Sequence, residues 1–334
     1  MHSRQIRAAM RRVADWQLQR MSAQPPSRSW EFGALDIGLM AASRTLDDPR
    51  LSQYVASVGE HFGWTLEHTD YSANDYAIAR AFLETYESSH KEEVIAPFRK
   101  RLDKDVQVPD DFQKLVWGWC DALFMEPASA AELSRISGDP KYMQYVDHEW
   151  GITEALLYDR RKHLFSRDET FLDKREKNGE KIFWSRGNGW VMGGTVLVLE
   201  ALRVDSPSRA HYVELLRETA REIASIQGSD GLWRPGLLDA KSYPLPEISG
   251  SAFFTYAIAW GVNHHLLNEK IYRPVLEKAW RGMLAHIYAD GRLGCIQPPG
   301  AAPDSYQADA SYVYGVGAFL LAGSEMDVLS QTKP

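Results

Sequence analysis

Apolar positions recur along the chain with helical spacing, and no run of alternating apolar and polar residues marks a sheet. Two kinds of helix are predicted. One kind is polar with an apolar stripe, at residues 4–20, 51–62, 91–102, 141–150, 209–226 and 273–287, and its charges suit a solvated outer face. The other opens on a polar residue, continues through small residues and becomes an apolar helix. It recurs six times: "FGALDIGLMAAS" around Asp36, "SANDYAIARAFLETY" around Asp75, "WCDALFMEPASAAEL" around Asp121, "RGNGWVMGGTVLVLEAL" after Arg186, "EISGSAFFTYAIAWGV" after Glu247 and "DASYVYGVGAFLLAG" at Asp309. The intervals run from about 40 to about 65 residues, a period that signals helical repeats. Six polar helices alternating with six apolar, Gly/Ala/Ser-rich ones predict an all-α (α/α)6 barrel, with outer helices running one way and inner helices back. All inner-helix N-termini then open on one end, where helix ends favour anions. No Pro/Ser-rich linker divides the chain, so residues 1–334 read as one domain.

Composition narrows the class. A length of 334 residues exceeds the usual single-core size, which fits one large closed architecture. The net charge of −7, with no basic run, argues against a nucleic-acid partner. The basic start, "RQIRAAMRR", lacks the apolar core of a signal peptide, and no apolar run approaches the roughly 18 residues of a membrane span. Cys120 and Cys295 are the two cysteines, too few for a disulfide framework, so a reducing cytoplasm is expected. Eleven Trp and 15 Tyr supply flat faces that stack on sugar rings, although core filling is the commoner use of any one of them.

Candidate chemistry gathers at the predicted barrel mouth. Asp75 and Asp121 each stand where an inner helix begins, and N-capping alone would select Asp there. Asp121 lies in "WGWCDALFM", and burial among apolar neighbours raises a carboxylic pKa and keeps a proton for general-acid work. Asp75, beside Asn74 and Tyr76, has more polar company, and carboxylates in unequal settings divide acid and base roles. Arg186, between Trp184 and Trp190, reads either as a structural ion-pair partner or as a fork gripping a carboxylate or hydroxyls. Gly187 and Gly189 allow a close backbone approach. Arg167 and Asp168, in "HLFSRDETF", fall in the loop before the next inner helix, and periodicity alone gives them no role. Other signals fail. "GNGWVMG" lacks the last glycine and the preceding strand of a dinucleotide turn, there is no C-x-x-C and no G-x-S-x-G, and His148–Glu149 lacks the second zincin histidine. His264–His265 falls late in an inner helix, away from the mouth. No metal or cofactor is expected.

Five segments, "VWGWCDALFM", "HLFSRDETF", "KIFWSRGNGWVMGG", "ISGSAFFTYAIAWGVN" and "VYGVGAFLLAGSE", together resemble the unsaturated rhamnogalacturonyl hydrolases of glycoside hydrolase family 105, relatives of the family 88 unsaturated glucuronyl hydrolases. The resemblance runs from about Asp75 to the C-terminus; the R-G-N-G-W segment together with W-x-D is its specific part. It implies an (α/α)6 barrel and a hydrolase that hydrates the C4=C5 double bond which polysaccharide lyases leave on a terminal uronate. By resemblance, Asp121 would protonate C4 and Asp75 would orient the water or the sugar hydroxyls. Trp119, Trp184 and Trp190 would form stacking walls, and Arg186 would lie near the uronate. Some family members carry a histidine where Arg167 aligns, and His163 competes for that place as a substrate contact.

The substrate so implied is a short unsaturated uronyl oligosaccharide, with Δ4,5-galacturonyl-rhamnose from pectin first. The rivals are a Δ4,5-glucuronyl lyase product of another polysaccharide, a sugar 2-epimerase, which would need histidine bases at the mouth, and a non-catalytic sugar binder, which would not need Asp121.

Overall fold

The computed structural model describes residues 2–67, 72–111 and 115–332. Its helices are α1 (Ser3–Met21), α2 (Trp30–Leu46), α3 (Pro49–His61), α4 (Ala79–Ser89), α5 (Ala96–Asp105), α6 (Ala122–Met125), α7 (Pro127–Ser137), α8 (Lys141–Leu157), α9 (Ser185–Ala201), α10 (Arg209–Ser225), α11 (Ile248–Asn263), α12 (Glu269–Leu284) and α13 (Val313–Gln331). The apolar helices pack in a closed ring, α2 on α4, α4 on α7, α7 on α9, α9 on α11, α11 on α13 and α13 back on α2. The polar helices lie outside this ring, as α1 does against α13 and α2 and α10 against α9 and α11. The molecule is an (α/α)6 barrel. In outer helix α1 the buried positions include Ile6, Met10, Val13, Gln17 and Met21, spaced three to four apart, so one stripe faces inward. Inner α11 buries every residue from Ile248 to Val262, because a wall of the inner ring has neighbours on all sides.

Glycine sets the spacing of the ring where α2 crosses α13. A Cβ on Gly317 would stand 2.2 Å from the Ala34 carbonyl oxygen, and one on Gly38 would stand 2.3 Å from that of Gly317. No larger residue permits this approach.

Several boundaries differ from the sequence pattern for identifiable reasons. The third inner helix is broken at Glu126, because Pro127 has no N–H to give the preceding turn and instead starts α7. The expected outer helix at 91–102 is a 3₁₀ turn at Glu92–Val94 followed by α5, which begins around Pro97. Outer helix α8 runs seven residues past its expected end, to Leu157. Strand among the described residues is confined to a hairpin of β1 (Tyr158–Asp159) and β2 (Leu164–Phe165), pairing Tyr158 with Phe165 and Asp159 with Leu164. No described helix is long and apolar enough to cross a membrane.

The two ends of the barrel are unlike. Inner helices hand over to the next outer helix through short links, at 47–48, 90–95, 138–140, 202–208 and 264–268. Outer helices hand over to inner ones through longer segments, at 22–29, 62–78, 106–121, 158–184, 226–247 and 285–312. Long irregular segments are where sites are built on a rigid frame. Here their described residues surround the inner-helix N-termini.

Candidate active site

Asp121 stands at the N-terminal edge of α6, on a loop anchored from both sides. Trp117 Nε1 donates to the Glu126 carboxylate at 2.8 Å, and the Thr153 hydroxyl of α8 donates to the Trp117 carbonyl at 2.8 Å. The Cys120 amide donates to the Arg167 carbonyl at 2.8 Å, and Trp119 forms a backbone bridge with Asp168. The Asp121 side chain caps no helical N–H, so capping does not account for the residue. It is 9% exposed. Burial raises its carboxyl pKa, and the positive charges of Arg167 and Arg186 offset only part of that rise. The Cys120 thiol, buried beside it, is pushed up as well.

Arg167 reaches this carboxylate, with its Nε 3.8 Å from Asp121 Oδ2 and its Nη1 on Asp168 at 2.5 Å. Asp168 is fixed in turn by accepting from the Thr170 amide and hydroxyl, at 2.8 and 2.7 Å. His163, the competing candidate, is turned away. Its Nδ1 lies 2.9 Å from the Tyr158 hydroxyl and 3.4 Å from Glu218 of α10. The structure therefore sets Arg167, and not His163, beside Asp121.

Asp75 lies in a 3₁₀ turn, Ala73–Tyr76, ahead of α4 and not at the helix start. It is 2% exposed, and its Oδ2 is 3.0 Å from Arg101 Nη2, while the Arg101 guanidinium lies over the Tyr76 ring. Burial and the nearby Asp75 charge both raise the Glu67 carboxyl. The two aspartates thus sit in unlike electrostatic settings: Asp75 meets Arg101 at 3.0 Å, while burial raises the Asp121 carboxyl against a more distant Arg167 at 3.8 Å.

Arg186 departs from the reading of a fork open to a ligand. It is 1% exposed, and its Nη1 and Nη2 donate to the carbonyls of Gln297 and Pro298 at 2.6 and 2.8 Å. Its guanidinium is sandwiched between the rings of Trp184 and Tyr314. It ties the 285–312 segment to the first turn of α9, and Trp184 Nε1 adds a bond to Gln297 Oε1 at 2.8 Å. Trp184 and Trp190 are likewise not open walls, being 1% and 0% exposed. Trp190 packs among Trp30, Phe124 and Phe253. Both rings form the floor under the mouth, and Trp119 is the expected stacking residue that keeps a partly exposed face.

Asp36 does not reach the mouth. It is the seventh residue of α2, two turns or about 10 Å down the helix. It is fully buried and neither carboxyl oxygen has a partner. Sequence reasoning missed Trp30, which stacks on Tyr314 at the head of the first inner helix and stands two residues before the motif that begins at Phe32. It also missed Arg101, Glu126 and Gln297, which hold the site from other segments and carry no local signature. The His148–Glu149 pair, which lacks zincin spacing, gathers with Asp110 so that one ligand atom from each lies within 4.8 Å of the others; His148 and Asp110 are exposed, with His148 Nε2 2.9 Å from Asp110 Oδ1.

Comparison with known proteins follows this geometry. Residues 5–329 match the family described as Glycosyl Hydrolase Family 88. A protein of Formosa agariphila named unsaturated 3S-rhamnoglycuronyl hydrolase is 35% identical over 96% of this chain and 90% of its own. One of the same name from an Alteromonas species is 32% identical over 90% of this chain and 78% of its own. A solved structure of a family 88 glycosyl hydrolase from Bacteroides vulgatus is 28% identical, covers 98% of this chain and 99% of its own, and superposes with a TM-score of 0.91.

Proposed function

The chain belongs to glycosyl hydrolase family 88 and is a glycoside hydrolase, and on that premise we propose that it removes a Δ4,5-unsaturated uronate from the non-reducing end of a short rhamnose-containing lyase product. One observation carries the proposal: a buried carboxyl with a raised pKa, at a mouth of inner-helix N-termini, that caps nothing and lies 3.8 Å from an arginine. Such a group is built to hold a proton and give it up. Asp121 delivers that proton to C4 of the enol ether, and water adds its hydroxyl to C5. The resulting C5 hemiketal opens to a ketone, the ring oxygen becomes a hydroxyl on C1, and C1 then expels the neighbouring sugar as an alcohol. Asp75, paired with Arg101, orients the water or the sugar hydroxyls, Arg167 faces the uronate, and Trp119 offers the stacking face. Arg186, Trp184 and Trp190 support that surface from beneath. The rule linking carboxylate separation to retention or inversion does not apply, because the reacting centre is an alkene.

Δ4,5-galacturonyl-rhamnose is the first substrate of this reading. A glucuronyl unit on rhamnose from a polysaccharide other than pectin is the second, and the names of the two relatives, with their 3S-rhamnoglycuronyl substrates, favour it. We further propose that the whole chain is one catalytic domain working in the cytoplasm, a placement supported by two buried free cysteines. Turnover in D₂O tests the chemistry. Deuterium is expected at C4 of the released sugar. Cleavage without C4 deuterium would refute hydration and leave an ordinary glycosidase, with Asp75 and Asp121 flanking the anomeric carbon.

A further inference from the structure

Buried carboxylates on the helices of this molecule meet donors. Glu126 accepts from Trp117 Nε1 at 2.8 Å, Glu154 lies 2.9 Å from His211 Nε2, and Glu247 accepts from the amides of Ser249, Gly250 and Gln297. Glu149 of α8 breaks that pattern. It is 7% exposed, yet among the described residues its carboxylate takes part in no hydrogen bond and no ion pair. A carboxylate taken out of water is costly unless it is paired or coordinates a metal. Asp36 shares the lack of a partner, but it lies deep in the core, whereas Glu149 lies beside other ligand-type side chains.

Those side chains are His148, which precedes it in α8, and Asp110, from the long segment that leads to Asp121. One ligand atom from each of the three lies within 4.8 Å of the others. His148 and Asp110 are exposed and free to turn, while burial holds Glu149 in place. Around a tetrahedral zinc-type ion, with bonds of about 2.0–2.1 Å, ligand atoms stand about 3.3 Å apart. Rotation of the two surface side chains covers that difference. One imidazole with two carboxylates suits a borderline divalent cation, with water completing the shell; calcium and magnesium call for about six or more ligands, nearly all oxygen. The zincin spacing is missing from the sequence because the third ligand stands 38 residues from His148 in the chain.

We propose that Asp110, His148 and Glu149 form a binding site for a divalent cation of the zinc type, which ties the 106–121 segment to α8. The site is independent of the hydrolase reading, and none of its three ligands has a part in the proposed reaction. Its role is positioning. α8 already holds the same segment at one point, where the Thr153 hydroxyl donates to the Trp117 carbonyl at 2.8 Å. A cation on Asp110 adds a second tie upstream of Trp117, on the way to Trp119 and Asp121. Two ties on one helix restrict the segment more than one, and the free energy of metal binding is added to that of the folded state.

The test titrates the full chain, first stripped with a chelator, with zinc chloride in a calorimeter, and with magnesium and calcium chloride at the same concentrations. One equivalent of zinc is expected to bind, with no comparable uptake of the other two. Glu149→Gln, which keeps the side chain's size, is expected to weaken zinc binding at least about tenfold, and His148→Gln on the surface is expected to do the same. His148→Gln supplies the reading if Glu149→Gln does not fold. His211→Gln removes the other His–carboxylate contact of α8, at Glu154, and is expected to leave zinc binding within about twofold of the parent protein. Hydrogen exchange at residues 115–121 is expected to slow when zinc is added to the parent protein and to stay unchanged when it is added to His148→Gln. No stoichiometric binding to the parent protein, or binding undiminished in both Glu149→Gln and His148→Gln, overturns the site. Binding weakened equally by His211→Gln shows adventitious capture by surface histidines and overturns it too. Zinc binding that needs all three ligands but leaves exchange at 115–121 unchanged overturns the tie.

Discussion

Two aspartates on inner helices show how the same residue type acquires different physics. Asp121 has its pKa raised by burial but keeps two arginines in reach and one edge at the mouth. Asp121→Asn preserves size, removes the transferable proton and breaks no capping bond. It is expected to lower kcat at least about 100-fold, the lower range for a general acid, with an unchanged melting temperature. A stopped assay and a thermal melt on the same sample check both halves. Asp36 is buried without any partner, and its pKa is raised well above the usual carboxylate value. A folded-state pKa above the unfolded one means the folded protein holds the proton more tightly. The stability this contributes is full below the unfolded value and is lost as pH rises toward the folded value, at up to about 1.4 kcal/mol per pH unit. Asp36→Asn abolishes that loss. Its melting temperature relative to the parent protein is therefore expected to climb between pH 5 and pH 8, and a flat difference across that range would show that Asp36 is solvated or paired.

Among the elements, α9 shows what sequence makes legible and what it hides. Its small residues were legible as close approach: a Cβ on Gly194 would stand 1.9 Å from the Leu123 carbonyl oxygen, so α9 and α6 touch through backbone. The helical repeat and the ring order followed from period and composition, which are properties of a segment by itself. The role of Arg186 was not legible, because its partners, the carbonyls of Gln297 and Pro298, lie over a hundred residues away and main-chain carbonyls leave no mark in a sequence. The same reason hid Glu126 and Arg101, and it made Trp184 and Trp190 look like exposed walls. The aromatic pattern reports flat faces but not which of them the fold covers. Asp121 was legible because its apolar neighbours are adjacent in the chain. The tether leads to a prediction for the element it holds. Arg186→Ala removes two charge-assisted bonds, each contributing on the order of 1.5–3 kcal/mol, and opens the aromatic sandwich. It is expected to lower the melting temperature by several degrees and to raise hydrogen exchange around residues 295–300. Raised KM with unaltered melting and exchange would return Arg186 to the role of an open ligand fork.

For the whole molecule, the barrel divides labour between its ends, and the division is testable. The mouth is made of long segments that hold Asp75, Asp121 and Arg167. Away from those segments, α4, α7 and α9 meet around a buried ion network in which Arg80 reaches Glu84 at 3.0 Å, Glu200 at 3.4 Å and Glu132 at 3.9 Å. Burial pushes Glu200 up to about 7, while Arg80 and Arg135 hold Glu132 below the usual value against its own burial. Three helices, α4, α7 and α9, are thus joined through one guanidinium. Arg80→Gln removes the cation that these three carboxylates share. Breaking a buried pair in this way costs about 3 kcal/mol, because the stranded charges stay buried. The sign with pH follows. Without Arg80 the carboxylates have higher folded-state pKa values, so they regain protons and lose mutual repulsion as pH falls. The destabilisation is expected to be larger at pH 8 than at pH 5, as read by chemical denaturation at both values. At temperatures well below melting, kcat and KM are expected to stay within about twofold of the parent protein, because no group that meets substrate at the mouth is altered. A fall in kcat without a fall in stability would mean that the two ends are coupled and that the network belongs to the site as well as to the frame.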